Sequence, residues 1–130
     1  MGVRKRNMAE RLKEERKNTS IASLKSQPTS PRKMRLVADI IRGKEVVAAL
    51  NILKFTRKHA AVPMEKLLRS AISNWQAKNS GEDIATSNVI VKDIRVDVSK
   101  TLKRISPAPQ GRAHKIRKRS NHVTIILDKK

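Results

Sequence analysis

The sequence predicts a mixed α+β fold with a long basic β-hairpin near its C-terminus, and three observations carry that prediction. Apolar residues recur at helical spacing up to about residue 78, whereas from Asn88 they alternate with polar ones. Two alternating runs flank Ser106-Pro107-Ala108-Pro109-Gln110-Gly111, a loop by any turn rule. Close to that loop both faces of the strand pair are cationic, so the outer hairpin has no side fit for burial in a protein core.

The segment from Met1 to about Thr19 is highly charged and almost lacks apolar residues. Met8 and Leu12 form a thin stripe, and Arg11/Glu15 and Glu14/Lys17 are spaced to pair along a helix. Two readings stay open: a solvated tail or frayed helix, and a basic arm that orders on RNA. Residues 1–18 are therefore set apart as an N-terminal extension, and residues 19–130 are read as a single RNA-binding domain. Ile21, Ala22 and Leu24 give a short apolar stretch, a candidate edge strand before Pro28.

A helix is signalled next, with Ser30 as N-cap, Pro31 at the first helical position and Gly43 as stop. Met34, Val37, Ala38 and Ile41 keep its period, leaving Arg32, Lys33 and Arg35 in or near the first turn. Cations there oppose the macrodipole, so stability alone does not account for them. Phosphate contact is the functional reading; solvated charges over an apolar edge are the plain one. A second helix is expected over roughly 44–56, with Val46, Val47, Leu50 and Leu53 on one side. The third has Pro63 near its start, and Met64, Leu67, Leu68, Ala71, Ile72 and Trp75 form the strongest stripe in the chain. Core packing explains that stripe, and Asn79-Ser80-Gly81 ends the helix.

In the hairpin, Ile90, Ile94, Val96 and Val98 alternate with Asp93, Arg95, Asp97 and Ser99, with Lys92 as an exception on the apolar side. Val123, Ile125 and Leu127 alternate with His122, Thr124 and Asp128. Folding back about Ala108/Pro109 sets Ile90 opposite Leu127, Lys92 opposite Ile125 and Ile94 opposite Val123, which puts both apolar sets on one face. Further out, the same register groups Lys100, Leu102 and Arg104 with Lys115, Arg117 and Arg119. The other face then holds Thr101, Lys103 and Ile105 with Arg112, His114, Ile116 and Lys118. An arm over about 99–119 follows, projecting roughly 25–30 Å at ~3.3 Å per residue. Such a ribbon is marginal in water and orders when surrounded by anion; a floppy basic loop is the plain alternative.

Composition agrees. Lys and Arg number 31 against 11 Asp and Glu, a net charge of +20 whose self-repulsion calls for a polyanion. A phosphate backbone fits, through counterion release. A membrane surface is the other polyanion, but no segment has the apolar length to span a bilayer, and no membrane partner is expected. Cysteine is absent, which removes disulfides and thiolate chemistry and suits an intracellular protein.

No enzyme, cofactor or metal site is expected. His59, His114 and His122 lack a metal-binding spacing, and Glu82, Asp83, Asp93 and Asp97 read as charge balance on a basic domain more simply than as a carboxylate patch. No phosphate-binding Gly-rich loop occurs. Phe55 and Trp75 are the only aromatics, too few for a stacking platform, so binding rests on backbone contacts and RNA shape.

Several linked motifs resemble one family. Ser30-Pro31-Arg32-Lys33-Met34-Arg35-Leu36-Val37-Ala38-Asp39 with Ile41-Arg42-Gly43-Lys44 is similar to the opening helix of large-subunit ribosomal protein twenty-two, in its bacterial form. Ala49-Leu50-Asn51-Ile52-Leu53, Ser70-Ala71-Ile72-Ser73-Asn74, Lys103-Arg104-Ile105-Ser106-Pro107 with Gly111-Arg112-Ala113, and Lys118-Arg119-Ser120-Asn121-His122-Val123-Thr124 resemble its later blocks. The resemblance implies three helices packed on a small three-stranded antiparallel sheet, with the long protruding hairpin. It also implies a structural constituent of the large ribosomal subunit that binds several domains of its rRNA and supports early assembly.

The hairpin tip, Leu102, Lys103, Arg104, Ile105, Ser106, Pro107, Ala108, Pro109, Gln110 and Gly111, would reach the wall of the nascent-peptide exit tunnel. Leu102, Lys103 and Arg104 correspond to the segment where changes in the family alter macrolide sensitivity. Implied partners are rRNA, neighbouring large-subunit proteins and the nascent peptide, in the cytoplasmic ribosome. The candidate RNA-binding residues are Arg32, Lys33, Arg35, Lys100, Lys103, Arg104, Arg112, Lys115, Arg117, Lys118 and Arg119. Two departures stand out: the segment before Thr19 is longer than in the shortest bacterial members, and many members carry another basic residue or two at the tip.

The competing class is a DNA-architectural protein, which also joins a helical body to basic β-arms. Those proteins carry an apolar wedge at the arm tip and dimerise through a large apolar face. Here Pro107 and Pro109 stand at the tip, but the helical stripes suffice for one small core and no homo-oligomer is expected. A small RNA-modifying enzyme, the third class, lacks an acid, base or cofactor constellation.

Overall fold

The structure, a computed structural model, describes residues 2–84 and 86–130, with the backbone alone at 15–18. Its elements run α1 (Val3–Asn18), β1 (Ser20–Gln27), α2 (Pro31–Ile41), α3 (Val46–Phe55), α4 (Ala61–Lys78), β2 (Val89–Val98), β3 (Leu102–Pro107), β4 (Ala113–Lys118) and β5 (Asn121–Lys129). The class is α+β, as expected. One sheet has three antiparallel strands in the order β1-β5-β2, and β3 and β4 make a separate two-stranded sheet. The described residues hold four helices rather than three. The additional one is α1, composed largely of Arg, Lys, Glu, Ala, Met and Leu, all strong helix formers. Its described side chains are all exposed, and Arg6 pairs with Glu10 at 3.3 Å. The spacings Arg11/Glu15 and Glu14/Lys17 each involve a side chain outside the described residues.

β5 is the spine of the domain. Val123, Ile125 and Leu127 are buried on its inward face, while His122, Thr124, Ile126 and Asp128 lie half-buried on the other. From β2, Val89, Val91, Ile94 and Val96 join the core, and from β1 Ala22 does. Helices α2, α3 and α4 close over that face with Met34, Val37 and Ile41, Val46, Ala49 and Leu53, and Met64, Leu68, Ala71 and Trp75. On α3 the expected stripe is corrected: Ala49 takes the inward place and Val47 is 48% exposed, because the buried face runs i, i+3, i+7 from Val46.

The β2–β5 register differs from the expected one in two ways. Ile94 faces Ile125 and Val96 faces Val123, a shift of two residues that leaves the inward set unchanged. Between Val91 and Asp93 the register shifts again by one, a bulge at Lys92. The extra residue turns Lys92 outward to pair with Asp128, and it makes Val89 and Val91 the buried residues instead of Ile90. Val98, also expected on the apolar side, is 59% exposed where the core ends.

Gly43 follows α2 with φ +73° and donates its N–H to Val91 O at 2.9 Å, while Val91 N–H returns to Lys44 O at 2.9 Å. The left-handed turn therefore does more than stop α2: it ties the helix end to the edge of β2.

Candidate nucleic-acid interface

The arm is a ribbon of six residues on each side, about 20 Å long at ~3.3 Å per residue. Every residue of β4 is exposed, and in β3 only Ser106 is even partly covered. Between residues 99 and 119 stand eight Lys and Arg and no acidic residue. Lys100, Lys103, Arg104, Arg112, Lys115, Arg117, Lys118 and Arg119 are all exposed, and among the described residues none forms an ion pair. The acids lie elsewhere, with Asp93 against Arg95, Asp128 against Lys92 and Glu82 against Lys129. Among the described residues no cluster of His, Asp and Glu fit to hold a metal forms.

The faces of the arm are not those the sequence pairing gives. Leu102 faces Lys118, Arg104 faces Ile116 and Ser106 faces His114 on one side; Lys103 faces Arg117, Ile105 faces Lys115 and Pro107 faces Ala113 on the other. The reversal centres on Gln110 instead of Ala108/Pro109. Gln110 and Gly111 adopt φ +62° and +69°, two consecutive left-handed residues, and Ala108 N–H closes the loop onto Arg112 O at 2.9 Å. That register is three residues from the expected one, an odd shift, so every β4 residue changes face. Both faces are still mixed and cationic. Lys103 beside Arg117 is a like-charge pair directly across the ribbon, destabilising until an anion lies over it.

Hydrogen bonds tie the root of the arm to the domain. Ser99 N–H donates to Ser120 O at 3.0 Å, Ser120 Oγ donates to Lys100 O, and the buried Asn121 donates Nδ2–H to Thr29 O. The Ser120-Asn121 pair in the last motif is thus the joint between ribbon and domain.

The α2 cations divide. Arg32 and Lys33 are exposed, and Lys33 lines a cleft with Leu36, Lys58 and His59. Arg35 instead reaches the edge of β2, giving two N–H groups to Val96 O at 2.9 and 3.3 Å, and Arg42 gives one to Ile94 O at 2.9 Å. Those carbonyls belong to an otherwise open strand edge, and covering them is a structural task. On the opposite edge, Asn74 and Lys78 of α4 donate to Ile21 O and Thr19 O.

The sequence reading passed over Lys54, Arg57 and Lys58 around the α3–α4 connection, all exposed. The available signal was a stretch from 46 to 64 with three cations and no acid.

Compared with known proteins, the family described as ribosomal protein L22p/L17e matches residues 22–128. The chain belongs to this family. Relatives called "Large ribosomal subunit protein uL22" are 59% identical over 127 residues in Christiangramia forsetii, covering 98% of this chain and 94% of the relative. The Flavobacterium johnsoniae relative is also 59% identical, over 98% and 93%. In Parabacteroides distasonis identity is 58% over 128 residues, again 98% and 93%. The L22p/L17e match opens in β1, whereas these alignments leave at most a few residues of this chain out and so take in most of α1. The family is one of structural ribosomal proteins and not of enzymes.

Proposed function

We propose that the chain is a structural constituent of the large ribosomal subunit in the cytoplasmic ribosome, where it binds and organises large-subunit rRNA. The observation that carries this is the arm: between residues 99 and 119, eight exposed cations with no ion pair among the described residues, five of them on the two-faced ribbon, rooted by hydrogen bonds in a packed domain. Such a ribbon gains order when phosphates surround it, so binding and folding of the arm are one process. Arg32 and Lys33 supply a second contact, with Arg35 chiefly holding the strand edge. By resemblance to the family, residues 102–111 reach the wall of the peptide exit tunnel, and the domain, residues 19–130, sits among neighbouring proteins and assists assembly.

The test replaces Lys103, Arg104, Arg112, Lys115, Arg117 and Lys118 by Ala and measures rRNA affinity against salt. Loss of six phosphate contacts lowers the logarithmic slope by about four to five units. An unchanged slope overturns the arm as the binding element, and co-sedimentation of the native protein with DNA instead of large subunits overturns the ribosomal reading.

A further inference from the structure

The two aromatic residues have opposite environments. Trp75 is buried in the core, whereas Phe55 is 80% exposed, more than any other large apolar residue among those described. A single exposed apolar residue is ordinary by itself. The surroundings of Phe55 are not. It is the last residue of α3, in Lys54-Phe55-Thr56-Arg57-Lys58-His59, with no acidic residue between Glu45 and Glu65. The dipole at the C-terminus of α3 favours cations there, which accounts for Lys54 but not for an open ring.

We propose that this connection is a further RNA contact, in which Phe55 stacks on an unpaired base while Lys54, Arg57 and Lys58 hold the flanking phosphates. Lys33, lining the same cleft as Lys58, extends the phosphate path from the connection to α2. The inference rests on the rRNA-binding reading and adds residues and a mode to it, since the arm carries no Phe, Tyr or Trp.

The backbone beside the ring is hydrogen-bonded. Thr56, just after it, caps the helix with its N–H on Ile52 O at 3.0 Å and its Oγ on the same carbonyl at 2.6 Å. An aromatic ring on an ordered backbone loses little freedom on stacking. A cationic rim suits a nucleic acid, because stacking is tolerant of base identity and phosphates lie on either side of a splayed base. A protein partner is the less favoured occupant: Phe55 and Arg57 would suit one, but Lys33, Lys54 and Lys58 would not, since Lys is depleted at protein interfaces.

The experiment uses the full chain, protein-free large-subunit rRNA and the variants Phe55→Ala, Phe55→Leu and Phe55→Trp. Phe55→Ala should weaken binding on the order of ten-fold, with the salt slope unchanged, because a stack and not a phosphate contact is lost. Phe55→Trp should restore affinity and Phe55→Leu should not. Chemical probing should show at least one unpaired base gaining reactivity in the Phe55→Ala complex. Thermal unfolding of the free variants should match the native protein, as an exposed ring is removed.

Equal affinity of Phe55→Ala and native protein overturns the proposal, as does full rescue by Phe55→Leu. Unchanged RNA affinity with loss of a neighbouring ribosomal protein from reconstituted particles overturns it in favour of protein docking. Absence of RNA binding by the native chain would instead sink the broader reading, so the two failures are distinguishable.

Discussion

β4 and β5 are separated by two residues, yet β5 buries every second side chain and β4 buries none. Both are antiparallel strands of the same hairpin. Hydrogen bonding to a partner strand therefore does not distinguish them; what lies over the side chains does. The base is held by a buried aliphatic face against α2, α3 and α4. Among the described residues the arm has its cross-strand bonds, one like-charge pair and a hydrogen-bonded root, and on the proposed reading a polyanion supplies further stabilisation. The Ser99–Ser120 bond marks where one source of order gives way to the other.

The strongest way to break that comparison is to damage the base alone. Leu68 of α4 is fully buried, so Leu68→Ala should destabilise the domain by about 2–5 kcal/mol, read by urea unfolding. Ile105→Ala, at a position 72% exposed on the arm, should lie within about 0.5 kcal/mol of the native protein. Comparable losses in both would mean that the arm packs on the domain in solution, contrary to the division.

What was legible in the sequence follows the same line. The α4 stripe was readable because helical periodicity names a face without knowing the partner. The strand alternation was readable within each strand for the same reason. Cross-strand register was not, since it depends on where the chain reverses and on bulges, and neither leaves a periodic trace. An even shift left Ile94, Val96, Val123 and Ile125 inward, so the base survived the wrong pivot. An odd shift at Gln110 changed the arm's faces, and the bulge at Lys92 exchanged Ile90 for Val89 and Val91. Among site residues, charge identified the arm correctly as an exposed cationic element. It could not say that Arg35 spends its guanidinium on Val96 O, because that contact joins residues 61 apart.

Arg35 gives the next, smaller test. If it covers the edge of β2, Arg35→Ala should cost about 1 kcal/mol of stability through lost hydrogen bonds. Arg32→Ala, whose side chain is exposed and makes no ion pair among the described residues, should stay within about 0.5 kcal/mol while still weakening rRNA binding. Equal stability of the two variants would return Arg35 to the group of plain phosphate contacts.

The smallest expected effect is the most discriminating, because it moves folding and binding in opposite directions. Lys103→Glu turns the Lys103–Arg117 pair into one of opposite charge, which should stabilise the free ribbon by roughly 0.2–1 kcal/mol. Hydrogen exchange at Arg104 and Ile105 should then slow in the free protein. The same change replaces a phosphate contact by a carboxylate, so rRNA affinity should fall and its salt dependence should flatten. A substitution at the base that improved packing would be expected to leave binding alone or help it. If Lys103→Glu left the free arm no better protected, like-charge repulsion would not be what keeps the arm marginal, and the exposed apolar side chains of Leu102, Ile105 and Ile116 would have to set its order instead.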